Sequence, residues 1–304
     1  MIAALGSPPV SAAPVVVDTI SVGSGPYSVA FSPNGKKAFV ANAEGDSVSV
    51  ITVLTGNATG TISVGDGPTS VAVNPTGQKA YVANQEGNTV SVIRVTTGTV
   101  MDTISVGDVP SSVAFSPNGK KAYVANFGAG TVTVIKVLTG NVTGTISVGD
   151  APTSVAFSPN GIKAYVANSG DDNVSVIKVS TGNVTDTISV GDNPGSVAFS
   201  PNGKKAYVVN YANDTVSVIT VATGNVTDTI SVGDGPQSVA FSPNGKKAYV
   251  TNRFDDTVSV ITVATGNVTD IVGVGERPQS VVFSPNGQKA YVTNRSDDTV
   301  SVIE

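Results

Sequence analysis

The side chains best placed for chemistry are carboxylates. Asp-Asp pairs stand at Asp171–Asp172, Asp255–Asp256 and Asp297–Asp298. Paired oxygens suit Ca2+, a hard cation that takes several oxygen ligands. None of the three pairs has the spacing of an EF-hand loop, so weak Ca2+ binding is the most they imply. The plainer reading is solvated loop carboxylates that also bond the turn backbone. No other cofactor is expected. The sequence contains no His and no Cys. That withdraws the imidazole base, the thiolate nucleophile and the usual transition-metal ligands. Ser and Thr are abundant but repeated, as strand residues are. A hydrolase built from carboxylates alone stays open, yet no non-repeated pair of acids stands out. The expectation is a protein that is not an enzyme.

These acids sit in a repeat. A Val-Gly-x-x-Pro opening starts at Val22, Val64, Val106, Val148, Val190, Val232 and Val274, always 42 residues apart. The copy from Val232 to Gly273 reads as four short strands. Strand A is Ser238–Ser242, then a turn at Pro243–Gly245. Strand B is Lys247–Asn252, then an Asp-rich loop at Arg253–Asp256. Strand C is Thr257–Val263, then a turn at Thr265–Asn267. Strand D is Val268–Val274. Val, Ile, Tyr, Phe and Thr fill the strands, and Gly, Pro, Asn and Asp fill the breaks. No window shows helical spacing of apolar residues. Four-stranded units at this period are blades of a β-propeller.

The chain ends support the same reading. The seventh copy stops at Glu304 and lacks strand D. The missing strand is at the other end, where Val15–Val22 matches Asn57–Val64 in register. The fold class is therefore all-β, a seven-bladed propeller with four antiparallel strands per blade. Its last blade is closed by the N-terminal strand, three plus one. One domain covers residues 15–304. Residues 1–14 stand outside the repeat, as a signal-derived leader or a disordered segment.

Strand B ends in YVTN at Tyr249–Asn252 and Tyr291–Asn294, and in YVAN at Tyr81–Asn84, Tyr123–Asn126 and Tyr165–Asn168. FVAN stands at Phe39–Asn42 and YVVN at Tyr207–Asn210. With the preceding SPNG-x-KA, the chain resembles the YVTN-repeat propellers, among them the propeller domains of archaeal surface-layer proteins. That resemblance implies a non-enzymatic extracellular module of surface-layer or adhesion type, with a protein or glycan partner at a cell surface. A periplasmic setting is the alternative, and the lack of Cys fits either. Lactonase-like and lyase-like propellers share the fold class, but the lyases resemble a His-dependent site that cannot exist here. Nucleic-acid binding is disfavoured, because the protein is acidic and its lysines lack interleaved aromatics. No apolar run is long enough to span a membrane. Such regular copies also suit recent amplification or consensus design, so a propeller without a natural ligand stays open.

Charge sorts by face. The D–A loops carry Asp66, Asp108, Asp150, Asp192, Asp234 and Glu276. The B–C loops carry Glu44, Asp46, Glu86, Asp214 and the Asp pairs, so one face holds sixteen of the twenty-two acids. The opposite A–B turns and strand-B starts hold eleven of the seventeen bases. Self-association of an acidic face on a basic one is the implied assembly. A ligand or partner site belongs where the copies differ, since identical blades suit no asymmetric ligand. The large, planar or charged departures are Tyr27, Phe127, Tyr211, Arg253, Phe254, Arg277, Gln279 and Arg295. Ordinary loop variation is the competing account. Asn-x-Ser/Thr sequons occur at Asn57, Asn141, Asn173, Asn183, Asn213, Asn225, Asn267 and Asn294. The strand-B Asn of each copy is expected to bond the backbone of the following loop.

Overall fold

The computed structural model describes residues 13–304. It shows seven four-stranded antiparallel sheets arranged as blades. The leader expected over residues 1–14 lies outside the described residues except for its last two. Blade 1 runs through Pro26–Phe31, Lys37–Asn42, Ser47–Thr52 and Asn57–Ser63 as strands A to D. Six blades follow this order. Blade 7 takes strands A to C from Pro278–Phe283, Ala290–Asn294 and Thr299–Ile303, and strand D from Val16–Ser21. Ile20 opposes Val300 and Ser21 opposes Thr299 in that last pairing. Among the described residues no helix is long and apolar enough to cross a membrane.

Two strand starts in blade 6 differ from the sequence reading, and strands A, C and D each end one residue sooner, at Phe241, Thr262 and Gly273. Strand A of blade 6 starts at Pro236, two residues early, because Pro236 pairs with Asn252 ahead of a bulge. Strand D starts at Asn267, because that residue opposes Thr262 before a second bulge. Both bulges recur around the ring and twist each blade.

A blade is one sheet thick, so its two faces are buried only by its neighbours. Strand B is accordingly buried at nearly every position, and its sequence is a continuous apolar run, not an alternation. The core is seven layers between blades. One joins Phe39, Val48, Val50 and Ile62 to Val71, Val82 and Ile93 of the next blade. The closing layer joins Ile20, Tyr291, Val300 and Val302 to Val29, Val40 and Ile51.

In six layers a strand-B Tyr lies against a strand-A Phe of the next blade, with ring centroids 4.6–4.7 Å apart. In the seventh layer Phe39 faces Val73, so two departures from the repeat meet each other. The strand-B Asn does not bond the following loop backbone as expected. Its Nδ2 donates to two strand-C side chains, as Asn42 does to the hydroxyls of Ser47 at 3.1 Å and Ser49 at 3.0 Å; in one blade the first acceptor is Asn173 Oδ1, 2.8 Å from Asn168. The amide is fully buried between strands B and C, where those hydroxyls are its nearest acceptors.

Closure rests on a strand whose only fully inward side chain is Ile20, 4% exposed. Ile20→Ala should cost about 3 kcal/mol and lower the midpoint of chemical unfolding accordingly. Burial, reinforced by Asp102, Asp186 and Asp228, pushes the Tyr81, Tyr165 and Tyr207 phenols up to about 12. A raised folded value means the contribution is complete below the ordinary phenol value and is lost as pH rises through the folded one. Stability should therefore fall between pH 10 and about 12, with phenolate absorbance and unfolding rising together.

Candidate functional site

D–A and B–C loops share one face of the ring, bonded to each other. Ala43 N–H donates to Gly25 O at 2.8 Å, and Glu44 N–H to Ser24 O at 3.2 Å. The eight B–C aspartates of this face are each engaged by a loop amide. Asp172 Oδ1 accepts the Asn193 N–H of the next blade at 2.8 Å, and Asp256 accepts that of Arg277 at 2.8 Å. Asp298 accepts Gly25 N–H at 2.8 Å and so bridges the seam of the ring. The first member of each pair faces the other way: Asp171, Asp255 and Asp297 accept from Asp150, Asp234 and Glu276 at 2.7–2.8 Å. An Asp pair thus staples two successive D–A loops. Among the described residues no group of three or more acidic side chains converges as metal ligands would.

A cavity of about 430 Å³ opens at the centre of this face, at the mouth of the channel. Its wall is a ring of seven serines, Ser28, Ser70, Ser112, Ser154, Ser196, Ser238 and Ser280, one from each strand A. In five of them Oγ accepts an amide N–H of the next blade, as Ser70 does from Val113 at 3.1 Å. A hydroxyl that accepts in this way keeps its own O–H as a donor.

Above the serines stand Tyr27, Thr69, Ser111, Thr153, Gln237 and Gln279, and from the loops Gln85, Phe127, Asn193 and Tyr211. No lining side chain is charged. Thr69, Ser111 and Thr153 also bridge blades, each donating to a proline carbonyl of the next blade at 2.7–3.2 Å. Where glutamine holds that position, the Thr of YVTN takes over. Thr251 donates to Gln279 O at 3.2 Å, and Thr293 to Tyr27 O at 3.4 Å.

The residues singled out by sequence divide in two. Tyr27, Phe127, Tyr211 and Gln279 line the mouth. Arg253, Phe254, Arg277 and Arg295 stand outside that lining. The Arg295 guanidinium lies over the Tyr27 ring at 5.8 Å and pairs with Glu44 at 3.2 Å. Arg253 lies over Phe254 at 5.6 Å, and Phe254 is 6.0 Å from Tyr211. The serine ring and Gln85 escaped the sequence reading. The serines are invariant across the copies and so look like ordinary strand residues. Gln85 occupies the same column as Phe127 and Tyr211 and was legible there.

The variation on this face follows a size rule in every blade but one, where Ala151 faces Gly170 and both are small. Where the residue before the proline is Gly25, Gly67 or Gly235, the facing B–C residue is Glu44, Glu86 or Phe254. Where it is Val109, Ala151, Asn193 or Arg277, the facing residue is Gly128, Gly170, Ala212 or Ser296. A Cβ on Gly67 would stand 2.9 Å from Glu86 Cγ, and one on Gly128 would stand 2.9 Å from Val109 Cγ2. The backbone is left-handed at Gly67 (φ 61°) and also at Val109 (φ 55°). A branched side chain there stores strain of about 1–2 kcal/mol.

Among these turns the opposite face is less open than its lysine count implies. Lys37, Lys79, Lys121, Lys163 and Lys205 donate Nζ to carbonyls of the next blade at 3.0–3.4 Å. Lys247 and Lys289 pair with Asp270 and Glu304 at 3.8 and 3.2 Å. The lysines left standing in solvent are Lys36, Lys120, Lys204 and Lys246 of the A–B turns, with Lys136 and Lys178 at the ends of strand C.

Fold and mouth together define a seven-bladed propeller with an open, uncharged channel entrance. The chain belongs to the lactonase, seven-bladed beta-propeller family, whose model matches residues 10–114 and 103–304. A solved structure of Kuenenia stuttgartiensis hydrazine synthase is similar, with a TM-score of 0.85 at 27% identity, covering 91% of this chain and 95% of that one. No curated protein matches.

Gly67→Val should destabilise the chain through both strain and the clash with Glu86. Adding Glu86→Gly should return the clash portion, with a coupling of about 1 kcal/mol or more in a double-mutant cycle of unfolding free energies. Strict additivity would show that the two loops do not meet.

Proposed function

We propose that this chain is a non-enzymatic binding module of extracellular or cell-surface type, taking a neutral, hydroxyl-rich ligand in the channel mouth. A glycan end has that chemistry. One observation carries the reading: a cavity of about 430 Å³ lined by serine, threonine, glutamine, asparagine and aromatic side chains, with no charge among them. Sugars are held by neutral donors and acceptors around the ring and by an aromatic face beneath it. Tyr27, Phe127 and Tyr211 supply the faces. The serine ring and Gln85, Gln237 and Gln279 supply the polar contacts. The YVTN motifs and their surface-layer resemblance support the cell-surface setting.

The lactonase family favours a second reading, turnover of a cyclic ester. Opening an ester needs a nucleophile and a group to take its proton. The chain has no His or Cys, and the mouth is lined by no carboxylate or lysine. Binding without turnover therefore accounts for the site better.

Calorimetric titration with neutral trisaccharides should show one site with a Kd of about 0.1–1 mM. Tyr27→Ala should weaken it by roughly three- to tenfold, the worth of one aromatic contact. No γ- or δ-lactone should be hydrolysed faster than in buffer. Lactone turnover that Ser or Gln substitutions in the mouth abolish, without sugar binding, would establish the second reading instead.

A further inference from the structure

Both faces of the ring carry apolar side chains that the fold does not need. The C–D turn is built with Thr96, Ser180, Ala222 or Ala264 in four blades, but with Leu54 and Leu138 in two. Those leucines are 94% and 83% exposed. Ile162, 59% exposed, stands in an A–B turn where the other blades place lysine or glutamine. All three share the face of the exposed Lys36, Lys120, Lys204 and Lys246. On the opposite face Phe254 and Phe127 are 54% and 41% exposed among the carboxylates. Each face thus joins exposed apolar groups to an excess of one sign of charge, and the signs are opposite: Asp18, Asp102, Asp186, Asp228 and Asp270 dilute the lysine face, and Arg253, Arg277 and Arg295 the acidic one, without reversing either. Apolar side chains standing in a charged rim mark a contact surface.

We infer that the Leu54–Leu138 face docks on the Phe254 face of a second copy, head to tail. Charge chooses the occupant. Like faces brought together would oppose charges of the same sign, which is costly. Opposite faces attract and bury the leucines against the phenylalanines. A contact between two different patches does not close on itself, so it propagates as a stack along the channel axis. An anionic lipid surface would also suit lysines with exposed leucines, but it leaves Phe254 and its acidic surroundings without a role. A second copy accounts for both faces. The inference does not rest on what the mouth binds.

Sedimentation velocity of the full chain tests it, with two blocked variants. One carries Leu54→Asp and Leu138→Asp; the other carries Phe254→Lys and Asp150→Lys. All four positions are exposed, and thermal unfolding checks that each variant is folded. At about 50 mM salt the parent should sediment as a concentration-dependent series above its 30.4 kDa monomer, returning to monomer at about 500 mM. Each variant alone should stay monomeric. Their equimolar mixture should give dimers and nothing larger, because each copy keeps one competent face. A parent that is monomeric at low salt overturns the proposal, and so does a monomeric mixture. A variant that dimerises by itself shows pairing of like faces and also overturns it. So does a monomeric parent that pellets with phosphatidylglycerol vesicles, when the leucine variant does not.

Discussion

Everything in this structure depends on each blade having a neighbour on both sides. A four-stranded sheet of this sequence buries strands B and C only when both of its faces are covered. An open row of seven blades would leave Val29, Val40 and Ile51 of the first uncovered, along with the facing side of the last. The ring removes both exposures by pairing Val16–Ser21 with Thr299–Ile303. Because closure is by hydrogen bonds and side-chain burial, the first described strand and the last carry the whole ring. Asp298 reinforces the same seam by holding the Gly25 amide.

Closure explains where the polar groups went. A repeated sequence places each polar side chain at an interface between copies as readily as in solvent. The lysines that begin strand B reach the next blade's carbonyls. The B–C aspartates reach the next blade's amides. The strand-A serines accept the next blade's N–H groups and form the channel wall. Each supplies hydrogen bonds to backbone groups that a ring of separate sheets leaves without partners. The B–C aspartates are committed to the loops in this way, and the side chains that line the channel mouth are hydroxyls, amides and aromatics.

Seen this way, the limits of the sequence reading have physical causes. The 42-residue period, the four strands and the three-plus-one closure were legible, because Pro-Asn-Gly turns and β-branched runs report local conformation directly. So was the sorting of charge by face. The partner of each polar side chain was not legible, since a copy gives no sign of whether it bonds itself or the next copy. The strand-B Asn shows this: Asn42 and Asn252 look like loop anchors, yet they bond hydroxyls on strand C. The channel wall was hidden by its own regularity. The Gly67–Glu86 and Val109–Gly128 exchange was present in the sequence throughout. It becomes visible only once the two loops are known to touch, 19 residues apart in every blade.

That exchange bears on how the loop differences should be understood. Uncompensated drift would leave some blades with two large residues facing each other. In six blades a large residue faces a small one, in the remaining one Ala151 faces Gly170, and in none do two large residues meet, so the departures fit the packing of the face. They change what the rim displays while the backbone beneath stays the same. Tyr27, Phe127 and Tyr211 hang over an otherwise regular ring of hydroxyls, and Phe254 lies outside it. If a second copy seats on this rim, it covers the mouth. Occupation of the mouth and stacking then exclude one another, and by linkage each weakens the other to the same degree. A ligand that fills the channel entrance would thereby release copies from a stack, and a stack would withhold its inner mouths from ligand, leaving the terminal copy alone open. The two surfaces are physically separate sets of side chains, but they are joined by geometry, because the rim that receives a partner is the rim that surrounds the site.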